Sequence, residues 1–360
     1  MATIVENIQT LHSIKSDIKN AIISKGVSVG NDFRTYAQAI TDLPSGGGGG
    51  TEMEDAFVQR TLSGYYSNDR VSKVGYYAFA SYSTLTSVNF PNCTSVGSGA
   101  FYYCSSLTSV NLPNCTSVGV SAFLKCESLT SVNLPNCKSV GGYAFFYCTA
   151  LTSVNLPNCT SVGESAFYGC RALASIDLTS CITIGDNAFS SCIALTSVNF
   201  PNCTSVGYYA FYYCSALTSV NLPNCTNAYG GLFMGCESLT SVNLPNCTSV
   251  YGYAFMDCRA LTSVNLPNCK RVENQAFDGC SALTSVYIPK CSYIYYYAFN
   301  NCTNLTQVYL NSVTSVTIIS STTFKNCPNL TSVYVPASLV DAFKVGLYWS
   351  SISNKIVAYT

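Results

Sequence analysis

The chain has 360 residues, with 17 basic and 17 acidic side chains, so its formal net charge is zero and only 9% of it is charged. Roughly a quarter is usual for a globular domain, and so sparse and balanced a charge supplies neither the basic face that nucleic acid needs nor a polybasic membrane anchor. Hydrophobic residues make up 48%, enough for a large core, yet no apolar run approaches the ~20 residues of a membrane-spanning helix, so no membrane insertion is expected.

The N-terminal stretch MATIVENIQTLHSIKSDIKN has no apolar segment of the secretory type, so no signal peptide is read there. Instead Ile4, Ile8, Leu11, Ile14, Ile18 and Ile22 recur at steps of three and four, which predicts an amphipathic helix that Gly26 can stop. A second short helix is expected from Asp32 to Thr41, with Phe33, Tyr36, Ala37 and Ile40 on one face. Residues 1–44 therefore read as a helical anchoring or oligomerising segment. Residues 45–50, a serine and five glycines, read as a flexible linker.

Beyond the linker the chain is a repeat array. A phenylalanine falls at Phe79, Phe101, Phe123 and on to Phe299 in steps of 22, with one longer step to Phe324. A fixed period near 22 residues signals a solenoid, because one such unit cannot bury its own apolar face. Within a unit, L-T-S-V-N-L alternates apolar and polar residues, as at Leu151, Val154 and Leu156, and predicts a short strand. Pro-Asn turns the chain. T-S-V-G reads as a second short extended piece, and A-F-x-x-C as one helical turn with Phe and Cys inward. The fold class expected is thus an α/β repeat solenoid of short strands plus one helical turn per coil. At about 4.8 Å per coil, a dozen coils would make a rod or arc on the order of 55 Å long. Residues 51–72 break the repeat and are read as an N-terminal cap, 73–336 as the solenoid, and 337–360 as a C-terminal cap. In that last segment Ser338–Val345 is expected to form a helix, with Trp349, Ile352 and Ile356 adding apolar surface.

The frame L-x-S-V-x-L-P-x-C-x-S-V-G-x-x-A-F-x-x-C-x-x-L resembles the BspA-like leucine-rich repeat over roughly residues 71–336. F-x-x-C-x-x-L alone recurs ten times between Phe101 and Leu305, with Leu232 replacing the preceding alanine once. The closing V-P-A-S-L-V-D-A-F-K also resembles the end of such proteins. The resemblance implies a right-handed solenoid, a role in adhesion or protein binding, and no catalytic residues. The 22-residue unit is one residue shorter than that family's usual one. Residues 18–40, I-K-x-A-I-x-x-K-G-V-x-V…F-x-x-Y-A-x-A-I, are similar to short helical modules near the N-termini of phage tail-fibre and other virion proteins. That likeness implies a virion structural protein as the partner of residues 1–44, with pairing to a second copy through the helix as a further option.

All 21 cysteines lie in two columns, one after Pro-Asn (Cys93 to Cys291) and one closing A-F-x-x-C (Cys104 to Cys302, then Cys327). With no C-x-x-C and with His12 the only histidine, metal binding is not expected. Bridges within a coil, such as Cys93 with Cys104, are arithmetically open to ten coils. Buried free thiols stacked as apolar ladders are the alternative, which the lack of a signal peptide favours. Asn-Cys-Thr also spells a glycosylation sequon at Asn92, Asn114, Asn158, Asn202, Asn224 and Asn246, but an asparagine bonding turn backbone in every coil is the plainer reading.

No catalytic constellation emerges. The acids of the array (Glu127, Glu164, Asp177, Asp186, Glu237, Asp257, Glu273 and Asp278) sit singly at differing repeat positions, so no carboxylate dyad recurs. No phosphate loop or nucleophile elbow occurs, and neither an enzyme nor a cofactor is expected.

The information lies in four slots per coil, two before and two after Ala-Phe. The first pair reads Tyr76-Tyr77, Tyr208-Tyr209 and Tyr296-Tyr297 in some coils, contributes Tyr143 and Tyr253 in others, and is Asp186-Asn187 elsewhere. The second reads Tyr102-Tyr103, Phe146-Tyr147 and Tyr212-Tyr213, and contributes Tyr168, Met234 and Met256. These slots should stack into one exposed stripe. Its tyrosines, with Ser, Gly and Asn between them, have the chemistry of an antibody paratope. Neutral drift on a surface would favour Lys and Glu instead. The expected ligand is a host cell-surface protein or glycan, and the expected location a virion, or alternatively a bacterial cell surface; a structural spacer whose repeats set length is the remaining reading. The unvarying Thr, Ser and Asn of the strand face are a rival binding surface, suited to a repetitive polymer such as a glycan.

Overall fold

The computed structural model describes residues 63–359. The expected anchor helices, the glycine linker and most of the expected N-terminal cap lie outside those residues. The described chain is a parallel β-solenoid. Each coil contributes to two columns of short strands, and every strand pairing is parallel. Register follows the repeat: Ser87, Val88 and Asn89 pair with Ser109, Val110 and Asn111, each 22 residues on.

The first column, built from the S-V-N strands, is a five-stranded sheet from Gly64–Ser67 to Ser153–Asn155. A three-stranded sheet (Ser197–Asn199, Ser219–Asn221, Ser241–Asn243) and a second five-stranded one from Ser263–Asn265 to Ile356–Tyr359 follow it. The second column runs as seven strands from Lys73–Val74 to Ser205–Val206, then as four from Asn227–Ala228 to Tyr293–Ile294. The columns break at three places, and two of these fall where the repeat departs from its frame. At 175–177 the strand is lost and Asp177 stands where an asparagine would; its Oδ1 accepts from its own Thr179 N–H at 3.1 Å. A carboxylate has no N–H to donate, so the side-chain amide ladder of the neighbouring coils cannot pass through it. That ladder runs Asn111 to Asn89 (2.7 Å), Asn133 to Asn111 (3.0 Å) and Asn155 to Asn133 (3.2 Å), and resumes at Asn221 and Asn243.

The first column breaks again between Ser241–Asn243 and Ser263–Asn265, where the frame is intact, and the break in the second column coincides with the end of a glycine column. In the early coils a Cβ at Gly97 would come 2.8 Å from the Gly75 carbonyl carbon, and one at Gly119 would come 2.6 Å from the Ser98 nitrogen. Adjacent coils approach too closely there for any side chain. After Gly207 the same slot holds Tyr229, Tyr251, Glu273 and Tyr295, and the strand column ends at Ser205–Val206 and restarts at Asn227–Ala228.

The interior is one continuous core. Val, Leu, Cys, Ala and Phe of the frame are buried in coil after coil. The phenylalanines form a stack: Phe79–Phe101 and Phe101–Phe123 have centroids 5.0 Å apart and planes within 4°. The run continues to Phe277–Phe299 at 5.2 Å and Phe324 at 5.6 Å. Fully burying each ring contributes roughly 1.5–3 kcal/mol, and the contact between rings adds to that. Buried Trp349 covers the last turn of the stack, 6.1 Å from Phe324 and 5.1 Å from Phe343 of the helix Val340–Val345, and its Nε1 donates to the Thr317 carbonyl at 2.7 Å. Ile356 belongs to an edge strand, Ile356–Tyr359, that pairs in parallel with Ser332–Pro336.

One expectation fails within the coil. Through the coil of Phe299, A-F-x-x-C with the residue before it is not a helical turn but a run of hydrogen-bonded turns with two left-handed residues; the coil of Phe324 keeps only the second, Asn326 (φ 57°). Tyr77 (φ 51°) and Ser81 (φ 62°) are such a pair, Tyr209 (φ 56°) and Tyr213 (φ 54°) another. Alternate N–H groups close local turns, as Ala80 to Tyr77 at 3.1 Å, while those between reach the next coil: Tyr77 to Ser98, Phe79 to Ala100 and Ser81 to Tyr102, at 3.1, 2.7 and 2.7 Å. The stack thus claims the N–H groups that a helix would use internally. The three-residue spacing of Phe and Cys suits either arrangement, so spacing could not separate them.

Candidate functional site: a tyrosine stripe along the turns

The four variable slots are built by this turn. The first of each pair of left-handed positions is the second residue before Phe (Tyr77, Tyr143, Tyr209, Tyr253, Tyr297), and the other is the residue before Cys (Tyr103, Tyr147, Tyr213). A bulky non-glycine residue in the left-handed region is a true outlier, at roughly 1–2 kcal/mol each. Glycine is the inexpensive occupant, and some coils use it: Gly99, Gly169, Gly231, Gly235 and Gly279 all have positive φ. Eight stripe positions instead hold tyrosine.

The expectation that both residues between Phe and Cys face outward is half right. Tyr103 (40% exposed) and Tyr213 (47%) project into solvent. The residue before each does not. Tyr102, Phe146, Tyr168, Tyr212, Met234 and Met256 are half-buried, and Ser190, Asp278 and Asn300 in that slot are buried. The left-handed turn swings this slot against the neighbouring coil, and the half-buried rings become the bed on which the exposed ones rest. Tyr102 lies 4.5 Å from Tyr103 and 6.1 Å from Tyr77. Tyr212 lies 4.4 Å from Tyr213 and 5.8 Å from Tyr209, edge to face in both cases. Phe146 stacks on Tyr168 at 5.0 Å and touches Tyr143 and Tyr147 at 5.6 and 4.8 Å. Burial, followed by the neighbouring phenol, raises the pKa of Tyr102 and Tyr212. Tyr143 is raised first by its hydrogen bond to Glu164 Oε1 at 2.7 Å. All three stay protonated donors at neutral pH.

Tyr76, Tyr77, Tyr208, Tyr209, Tyr253 and Tyr296 are exposed, and Tyr143, Tyr147 and Tyr297 are partly so. The structure groups the stripe into clusters rather than one ribbon: 76–103, 143–168 and 208–213, with Tyr253/Met256 and Tyr296/Tyr297 further on. Lys125 lies over the Tyr103 ring at 5.1 Å and Lys325 over Tyr297 at 5.5 Å. An aromatic run that the repeat frame concealed joins the third cluster. Tyr208 meets Tyr229 at 5.1 Å, Tyr229 stacks on Tyr251 at 5.3 Å, and the Arg271 guanidinium sits between Tyr251 and Tyr295 at 5.8 and 5.9 Å. The signal for it was present in the sequence as the failure of the glycine column after Gly207.

The remaining sequence features resolve into framework. All 21 cysteines are free and buried. One column bonds back to the preceding coil, as Cys126 Sγ to the Phe101 carbonyl at 3.0 Å, and the other bonds within its own turn, as Cys115 Sγ to the Ser117 carbonyl at 3.2 Å. Burial pushes Cys137, Cys181 and Cys247 up to about 12, so they are inert thiols. The sequon asparagines donate Nδ2 to the preceding coil, Asn114 to the Pro91 carbonyl and Asn224 to that of Pro201, both at 2.7 Å. A glycan on that nitrogen would displace the bond. Three of the acids are ion-paired: Glu237 and Asp257 share Arg259 at 3.4 and 3.3 Å, and Glu273 meets Arg271. Among the described residues no group of three or more His, Cys, Asp or Glu is placed to hold a metal, and no helix is long and apolar enough to cross a membrane.

A stack of leucine-rich coils with its variable residues gathered on one face defines a leucine-rich repeat scaffold. The BspA-type leucine-rich repeat region matches residues 53–170, 116–232 and 226–351, so the chain belongs to the BspA-type leucine-rich-repeat family. Among solved structures it is similar to a leucine-rich repeat protein from Bacteroides ovatus, with 25% identity over 84% of this chain and 85% of that one and a TM-score of 0.62. A leucine-rich repeat protein of T. pallidum is 28% identical over 52% of this chain and 82% of its own, at a TM-score of 0.37. A leucine-rich cell surface protein from Faecalibacterium prausnitzii is 21% identical over 81% of this chain and 91% of its own, at 0.33. No curated protein matches. Repeat proteins of this family are commonly surface or adhesion proteins, and a binding role is consistent with the scaffold.

Proposed function

We propose that this protein is a non-enzymatic adhesion protein that grips a host cell-surface protein or glycan with the tyrosine stripe, chiefly Tyr208, Tyr209, Tyr212 and Tyr213 and their neighbours. The observation that carries this is the eight stripe tyrosines held at positive φ where glycine would be unstrained. Residues held in strained conformations gather at binding and catalytic sites, because selection for contact offsets the strain. Tyrosine also brings a large, rigid, amphipathic contact at low entropic cost. On this reading residues 1–44 attach the solenoid to a virion, with display on a bacterial surface as the alternative. The near-identity of the frames beside such varied slots further suits a stripe under diversifying selection.

The test is adhesion to host cells by the protein carrying Tyr209→Gly and Tyr213→Gly. Glycine suits both backbone positions, so the coil stays intact while two exposed rings are removed. Adhesion should fall at least tenfold with circular dichroism unchanged. Full adhesion by the folded variant would refute the assignment.

A further inference from the structure

A second surface carries chemistry that the stripe does not use. Where the chain leaves Pro-Asn and enters the second strand of each coil, a shallow groove of about 490 Å³ runs across consecutive coils, lined by Asn246, Asn268, Thr226, Thr248, Lys270 and Lys290 among others. Its polar groups have fixed orientations. Asn246 and Asn268 spend an N–H on the preceding coil, to the Pro223 and Pro245 carbonyls at 2.9 and 3.0 Å. The Thr248 hydroxyl donates to the Thr226 carbonyl at 3.1 Å, and the Thr226 hydroxyl oxygen accepts from Asn227 at 3.2 Å. Each carboxamide keeps a second N–H besides its oxygen, and with the hydroxyls the floor presents both acceptors and donors.

One end of the groove adds positive charge. Lys270 replaces the threonine of its column and Lys290 the asparagine of the next, and both are exposed. Lys290 Nζ is held at 2.9 Å from Asn268 Oδ1. Neither lysine is in an ion pair among the described residues, and no carboxylate lines the groove. The nearest acid in sequence, Glu273, is taken by Arg271. In a chain with so few charges, two unpaired cations on consecutive coils stand out.

We infer that this groove binds an acidic polysaccharide. The row of carboxamides and hydroxyls exchanges hydrogen bonds with sugar hydroxyls, and Lys270 and Lys290 take the carboxylate or sulfate. A ligand must have both properties to match. A neutral glycan leaves the ammonium groups unanswered, and an anion without hydroxyls leaves the polar row unanswered. The site is separate from the stripe, whose slots begin beyond the second strand.

The experiment is calorimetric titration of the full chain with polygalacturonate, hyaluronan and chondroitin sulfate, with dextran and inorganic polyphosphate as controls. At least one acidic polysaccharide should bind, more weakly as salt rises, and both controls should bind at least tenfold less tightly. The Lys270→Gln/Lys290→Gln variant, altered only at exposed side chains, should lose at least tenfold in affinity. The Tyr209→Gly/Tyr213→Gly variant should keep full affinity, which separates this site from the adhesive stripe. The inference is overturned if none of the three acidic polymers binds, or if polyphosphate binds as tightly as they do. It is equally overturned if the double lysine variant is unchanged or the double tyrosine variant loses the affinity.

Discussion

Strain at Tyr213 makes a prediction opposite in sign to the ordinary rule for glycine. The residue has φ 54°, its ring is about half exposed, and its main contact is the edge-to-face packing on Tyr212 at 4.4 Å. Tyr213→Ala removes that contact, worth about 0.5–1.5 kcal/mol, and keeps the Cβ that makes the left-handed conformation unfavourable. Tyr213→Gly removes the same contact and also relieves roughly 1–2 kcal/mol of steric strain, against a glycine entropy cost of about 0.5–1 kcal/mol in the unfolded chain. The glycine variant should therefore be more stable than the alanine variant by about 0.5–1 kcal/mol. In an exposed helix the same pair differs by about 1 kcal/mol in the other direction. Urea unfolding followed by circular dichroism reads the difference, with hydrogen exchange at the Cys214 and Leu217 amides reporting on the coil itself. Alanine equal to or more stable than glycine would show that the turn is helical in solution and that strain does not mark the stripe.

Two further outcomes follow from the stacking. Gly119→Ala should destabilise the protein by several kcal/mol, because its Cβ would lie 2.6 Å from backbone of the preceding coil, whereas Tyr251→Ala in the same column, which loses only the Tyr229 stacking and the Arg271 contact, should cost about 1–2 kcal/mol; equal effects in a thermal melt would contradict the close approach of the early coils. The buried thiols should make stability fall at alkaline pH: an unfolded cysteine loses its proton near pH 8.5, while Cys137, Cys181 and Cys247 hold theirs to about 12, so above pH 8.5 the unfolded chain binds fewer protons and the native state loses ground as pH rises towards 12. Iodoacetamide at pH 8 should correspondingly leave these thiols unmodified until denaturant is added, and rapid labelling of the native protein would count against their burial.

The solenoid was legible because its determinants are periodic. A 22-residue frame with Leu, Val, Phe and Cys in fixed places can bury them only by stacking, and the parallel register of Val88 on Val110 restates that period in space. The location of the stripe was legible for the same reason, since positions free to vary within a fixed frame are those the core does not hold. The turn was not legible. Phe and Cys three apart fit a helical turn, and only the inter-coil bonds of Tyr77, Phe79 and Ser81 decide for left-handed residues. The half-burial of Tyr102, Tyr168 and Tyr212 follows from that decision.

By itself the sequence determined the period, the inward residues and the identity of the variable slots, because each is a property of one coil repeated. What one coil does to the next was decided only in three dimensions. The glycine column exists because neighbouring backbones approach within van der Waals contact, and it gives way to Tyr229, Tyr251 and Tyr295 where the second strand column breaks. Strain in the stripe tyrosines and the groove ending at Lys270 and Lys290 likewise depend on contacts 22 residues apart, and a local pattern does not contain those distances.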